Sequence, residues 1–305
     1  MSDETGTAGR LGIVAMVGAC VIWGLSPLFY GLLAHIPPGD ILAHRTLWSV
    51  VFFWAVLAFQ RRTREVPQTL SDVNTFGRIV LAAVMISINW LLFIYSIQIE
   101  RVTESSLGYY IFPLVSVLFG WLVYGERLKP LQWVAVALAA SAVGVLTIGQ
   151  DGVPWISLIL ATTFGTYGVI KKGMSAGPVV SVTCEVLVLL PLALAWLAFV
   201  AETSSLTRSD IAILVLTGPM TATPLFLFSY AAKRIWLSTV GILQYLNPTL
   251  QFLLAATILG EPFGWAHWVA FPMIWTALAI YSAVVYAADR SARRVSRAEA
   301  ASRAV

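Results

Sequence analysis

The sequence predicts an all-α integral membrane protein of ten transmembrane helices arranged as a 5+5 inverted repeat. Three observations carry that prediction. The chain is 59% hydrophobic with a mean hydropathy of +0.83. Only 11% of its 305 residues are charged, against about 25% in soluble domains. Landmarks of one half also return in the other at a constant spacing of 135: Pro113/Pro248, Gly125/Gly260, Glu126/Glu261, Trp133/Trp268, Tyr95/Tyr230 and Tyr110/Tyr245. A repeat of that length governs every later assignment.

A bilayer-crossing helix needs about 20 apolar residues. Ten runs meet or approach that length, at 11–34, 41–60, 78–99, 105–124, 131–149, 154–171, 179–200, 211–232, 238–259 and 266–287. The first follows the polar MSDETGTAGR and is too long for a signal-peptide core, so it is expected to be retained. Turn-forming breaks separate the others: HIPPGD, GQDGVP and KKGMSAGP. The longest break, 61–77, is polar and suits a short surface helix. Runs four and nine carry Pro113 and Pro248. Each proline removes a backbone donor and interrupts the helical ladder, making it a candidate hinge. Residues 1–150 form the first five-helix unit, and 151–305 the second with a basic tail.

Lysines and arginines set the orientation. With the N-terminus inside, cytoplasmic segments hold Arg10, Arg61, Arg62, Arg64, Arg78, Arg127, Lys129, Lys171, Lys172, Lys233, Arg234 and the tail arginines. Outer loops hold only Arg101 and Arg208. Both termini are therefore expected on the cytoplasmic side. Five spans per unit is an odd number, so the second copy lies upside down relative to the first, the layout of many secondary transporters. Cys20 and Cys184 fall inside apolar runs without metal-ligand spacing and read as small packing residues.

Few residues carry chemistry. Arg45 and Glu185 lie deep in spans two and seven, with His44 beside Arg45. A charge at the bilayer centre costs about 2.5–3.5 kcal/mol, so neither should face lipid alone. Aligning Gly24 with Gly165, an offset of 141, brings Arg45 and Glu185 within one residue of equivalence. The expectation is that they face one site, Arg45 taking an anion and Glu185 a cation or proton, or that they form a structural pair. Arg45, Trp48 and Ser49 share a helix face at i, i+3, i+4. Trp23, Asn89, Trp90, Tyr95, Tyr110, Tyr167, Tyr230, Gln244 and Tyr245 are candidates for an aromatic, amphipathic substrate lining. Glu126 and Glu261, each after a glycine, read as charged helix boundaries.

The stretches WGLSPLFYGLL (23–33), DILAHRTLWS (40–49), NWLLFIYSI (89–97), SLGYYIFPL (106–114), YGER (124–127), LSTVGILQYLNPTLQFLLA (237–255) and GEP (260–262) span nearly the whole chain in order. Through them the sequence resembles the EamA branch of the drug/metabolite transporter superfamily, most closely its RarD-type permeases, known as chloramphenicol-sensitive proteins. The resemblance implies a ten-helix permease for small organic molecules such as amino acids, metabolites or amphenicol-like drugs. One departure is LNP at 246–248, where the family is expected to carry glycine before the proline.

The partners implied are a small-molecule substrate and membrane lipid, with no cofactor, metal or nucleic acid; Glu185 and His44 are candidates for proton coupling. No GxSxG, HExxH or P-loop is present, which weighs against an enzyme or an intrinsic ATP motor. A channel or a non-transporting membrane protein is the alternative.

Overall fold

The computed structural model describes residues 2–125, 129–149, 153–201, 206–232, 234 and 243–302. Helices account for nearly all of them: α1 (Ser2–Gly31), α2 (Pro38–Phe59), α3 (Glu65–Ser71), α4 (Val73–Gln98), α5 (Val102–Tyr124), α6 (Pro130–Gly149), α7 (Trp155–Lys172), α8 (Pro178–Phe199), α9 (Arg208–Ala232), α10 (Leu246–Thr257) and α11 (Trp265–Ser302). Seven of these are long and apolar enough to cross a membrane: α1, α2, α4, α6, α8, α9 and α11. The chain is thus a multi-pass membrane protein, all-helical over the described residues.

Local chemistry explains where helices start. Pro38 and Pro178 occupy the first turns of α2 and α8, where the missing N–H would be unsatisfied anyway and the fixed φ suits the helix. Asp72 caps α4, its carboxylate accepting the Thr75 amide at 2.9 Å. The polar gap after α2 does hold a short helix, α3, from which Val66 packs into a small core with Leu57, Ile79, Val180 and Cys184.

α1 packs on α9 and α10; α2 on α8 and α9; α4 on α7 and α8; α5 on α7 and α10; and α6 on α11. Every one of these extensive contacts joins a helix before residue 150 to one after it. The largest apolar cluster follows from this, with Tyr110 and Leu114 of α5 and Ala135 and Ala142 of α6 against Phe271 and Ile274 of α11. α9 approaches α2 so closely at Gly218 that a Cβ there would lie 2.6 Å from the Trp48 carbonyl oxygen. Glycine is the residue that permits this approach.

Two helix ends bear on the sequence expectations. The break expected within run nine appears at Tyr245, a turn residue, so Pro248 stands in the first turn of α10. There it disrupts no ladder bond. Pro113 lies within α5, which runs through it. Glu261 stands at the second. The sequence marks it as a charged helix boundary, and the structure adds that it is only 8% exposed. Its carboxylate accepts the Val102 amide at 2.5 Å, the Thr103 amide at 2.8 Å and the Thr103 hydroxyl at 2.5 Å. It therefore caps α5, a helix of the other half, satisfying orphan donors where the helix dipole favours negative charge. Gly260, at φ +65°, makes the reversal that aims this carboxylate. Gly125 has the matching φ of +64°, while its neighbour Glu126 lies outside the described residues.

Candidate functional site

The predicted site residues separate into three groups. The first surrounds Arg45 on α2. Its guanidinium carbon lies 4.0 Å from the centroid of the Trp90 ring (α4) and 5.7 Å from that of Tyr30 (α1). The residue is 7% exposed, and among the described residues no carboxylate comes within ion-pair distance of it. Cation–π contact offsets part of the desolvation cost, but the Arg45 Nε remains buried without an acceptor. Its neighbours on α2 share that state: both ring nitrogens of His44, the indole nitrogen of Trp48 and the hydroxyl of Ser49 are buried without a hydrogen-bond partner. Buried polar atoms are normally satisfied, so four residues left open along two turns of one helix mark a candidate polar site.

Asn89 shapes the wall beside it. It is 1% exposed, donates to the Leu160 carbonyl and the Thr163 hydroxyl at 3.0 Å each, and accepts from the Tyr109 hydroxyl at 3.1 Å. It ties α4, α5 and α7 together, which makes it a positioning group for Tyr109.

The second group bears on one of the two expected relations, a structural pair of Arg45 with Glu185. Glu185, in the third turn of α8, is 1% exposed. One carboxylate oxygen accepts from Lys171 Nζ at 2.5 Å, and the other from the Tyr167 hydroxyl at 3.0 Å. The Ser181 hydroxyl contacts the same ammonium. Lys171 is one of the expected cytoplasmic charges. It lies in the last turn of α7, one turn beyond Tyr167, and reaches inward along the face they share. The two charges neutralise one another, so Glu185 is not Arg45's counter-ion.

A run of ring contacts connects these groups. Tyr30 meets Phe93 at 6.2 Å, Phe93 meets Tyr109 at 5.8 Å, Tyr109 meets Phe164 at 6.0 Å and Phe164 stacks on Tyr167 at 6.0 Å. Of these rings only Tyr167 belongs to the substrate lining expected from sequence; Tyr30, Phe93, Tyr109 and Phe164 do not.

The third group stands apart. Tyr110, 1% exposed, shares a hydrogen bond of 2.6 Å with Thr249 and packs edge-on against Phe271 and Trp275. Tyr245 is half-buried against the same cluster. These are packing tyrosines between α5, α10 and α11. Gln244 is half-buried and helical, just before the turn residue Tyr245. Trp23 packs on Phe228 at 6.2 Å, and its carbonyl accepts from Ser26 and Gln251.

Tyr95 and Tyr230 are 44% and 37% exposed and belong to neither charged group. The Tyr230 ring carries the Arg234 guanidinium, one turn on, at 3.5 Å, an arrangement suited to a membrane boundary.

Tyr30, Tyr109, Ser49 and Lys171 complete the two charged groups. One signal linked two of them in advance. The offset of 141 that aligns Gly24 with Gly165 also maps Tyr30 onto Lys171 and His44 onto Glu185.

Comparison with known proteins gives this geometry a family. A model described as the EamA-like transporter family matches residues 10–148 and again 152–283. An "Uncharacterized transporter" of Vibrio cholerae is 38% identical over 293 residues, covering 93% of this chain and 96% of that protein. "Protein RarD" of Streptomyces exfoliatus is 42% identical, covering 93% and 91%. "Chloramphenicol-sensitive protein RarD" of Pseudomonas aeruginosa is 30% identical, covering 88% and 92%. A solved crystal structure matches with a TM-score of 0.60 at 19% identity, over 92% of this chain and 97% of its own, a likeness of fold. On the double family match and the relatives spanning most of its length, the chain belongs to the EamA-like transporter family.

Proposed function

We propose that the protein is a secondary transporter that moves small organic molecules across the inner membrane by alternating access, with both termini cytoplasmic. The observation that carries the proposal is the row of buried, unpartnered polar atoms on α2 around Arg45. It lies on a helix packed against α8 and α9 of the other half. Substrate sites of inverted-repeat carriers lie at that kind of junction, near the bilayer midplane.

The 5+5 arrangement is supported by the packing. Exchanging α1 with α7, α2 with α8, α4 with α9, α5 with α10 and α6 with α11 maps the list of extensive contacts onto itself. The α1–α9 contact becomes α7–α4, and α5–α7 becomes α10–α1, while α2–α8, α5–α10 and α6–α11 map onto themselves. The double family match, one per half, supports the same division. In this reading the aromatic wall and the Arg45 group hold substrate, and the discontinuity at Tyr245 and the proline within α5 are its hinges. Relatives named for chloramphenicol sensitivity suggest amphenicols as one class to test.

The test is counterflow in proteoliposomes with labelled amino acids, nucleosides, amphenicols and small organic acids. Exchange of one class, abolished in an Arg45→Lys protein that still folds, is expected. Passive, non-saturable flux of many unrelated solutes would favour a channel and overturn the proposal.

A further inference from the structure

We propose that the cargo is a small organic monocarboxylate, whose carboxylate completes the ion pair that Arg45 lacks. This rests on the transport reading and adds the substrate class.

The open groups define the ligand's chemistry. Arginine and the tryptophan indole can only donate, and the serine hydroxyl donates readily. Arg45 Nε, Trp48 Nε1 and Ser49 Oγ are all buried and unpartnered on one face of α2. The faces of Trp90 and Tyr30 already take the cation's π-contact, leaving its N–H groups for an acceptor. A carboxylate offers two oxygens with about four lone-pair positions and pairs with a guanidinium in bidentate fashion.

The second half supplies an internal comparison. At the positions equivalent to Tyr30 and His44 stand Lys171 and Glu185, which neutralise each other at 2.5 Å. The first half carries its buried cation one residue further on, at Arg45, where the second half has Val186.

The surroundings narrow the class. A zwitterion or an organic cation would need an acceptor for its positive end; the His44 ring offers one, but it lies about 100° around α2 from Arg45. The nearest acid on α2, Asp40, is engaged by the Trp196 indole at 2.8 Å, and no carboxylate lies within ion-pair distance of Arg45 among the described residues. A single guanidinium matches one negative charge and leaves an inorganic dianion unbalanced. The rings of Tyr30, Trp90 and Tyr109 suit a carbon body beside the charge.

The test compares thermal unfolding of the full-length detergent-solubilised chain with sodium benzoate, benzamide, phenylalanine and inorganic phosphate at matched ionic strength. Benzoate should raise the unfolding temperature in a concentration-dependent way, as any ligand specific to the folded state does. Its neutral amide, the zwitterion and phosphate should leave it unchanged. Ser49→Ala removes an unsatisfied hydroxyl and so should fold normally. It should weaken benzoate about tenfold, the loss of one hydrogen bond to a charged group. Arg45→Lys, which keeps the charge and loses the fork, should weaken it at least as much. Equal stabilisation by benzamide or phenylalanine, or an undiminished benzoate response in both variants, overturns the proposal. Counterflow separates it from the transport reading. Benzoate binding without counterflow sinks transport and leaves the carboxylate site standing; saturable counterflow of a neutral solute without benzoate binding does the reverse.

Discussion

Replacing Glu261 by alanine should destabilise the whole bundle, even though the residue lies at a helix boundary and touches no part of the Arg45 site. The carboxylate makes three short hydrogen bonds to Val102 and Thr103 at the start of α5. Truncation orphans two backbone N–H groups in a largely buried place, and each such group costs about 1–3 kcal/mol. The expected loss is about 3 kcal/mol, equivalent to roughly 5–10 °C in unfolding temperature for a chain of this size. Glu261→Gln keeps one acceptor oxygen and should lose about half as much. Part of that loss is offset because the nearby Glu104 carboxylate repels the native charge. Thr103→Val removes only the hydroxyl and should cost about 1 kcal/mol. The assay is thermal unfolding in detergent followed by the monodisperse fraction, with the Glu261/Thr103 double variant closing a coupling cycle. Unfolding of Glu261→Ala within about 1 °C of the parent would refute the capping assignment.

Three further outcomes follow from the same structure. Lys171→Met leaves the Glu185 carboxylate buried without its cation and should cost about 3–5 kcal/mol, with most of that recovered in the Lys171→Met/Glu185→Gln double variant; melting curves of the three proteins check it. Gly218→Ala forces a Cβ to within 2.6 Å of the Trp48 carbonyl oxygen, so α9 must shift from α2, with a loss of about 1–3 kcal/mol in the same assay. At the surface, hydrogen bonds from Arg62 to Glu65 and from Thr75 to Asp72 hold both carboxyls below their usual range. A depressed carboxyl stabilises the fold above its unfolded pKa, and that support is lost as the pH falls through the folded value. Acid should therefore open α3 and the first turn of α4 before the bundle. Hydrogen exchange, corrected for its intrinsic pH dependence, should find protection there falling first; uniform loss across all helices would refute it.

The helices could be read from the sequence because lipid imposes one requirement on every span, a run of about 20 apolar residues. Arg45 was legible for the same reason, as a lone charge in such a run. Lys171 was not, because a charge at the edge of an apolar run looks solvated in one dimension, whereas its place one turn beyond Tyr167 aims it back toward Glu185. Tyr109 and Tyr110 are neighbours separated by about 100° around the helix. That rotation sends Tyr109 to Asn89 and the aromatic wall, and Tyr110 to Thr249 and α11. Tyr95 and Tyr230 show the limit of repeat symmetry. A common offset says that two residues occupy equivalent positions, and says nothing about whether those positions face inward. Glu261 was beyond reach because its partners lie 158 and 159 residues away.

That distance has a consequence for biogenesis. α5 leaves the ribosome long before Glu261 is made, so during synthesis its first turn enters the bilayer with its amides open. The first half stays provisional until the second half arrives to close it. Quality-control proteases would meet a chain truncated after residue 150 as an unfinished helix end. The two halves expressed as separate polypeptides should survive only in each other's company.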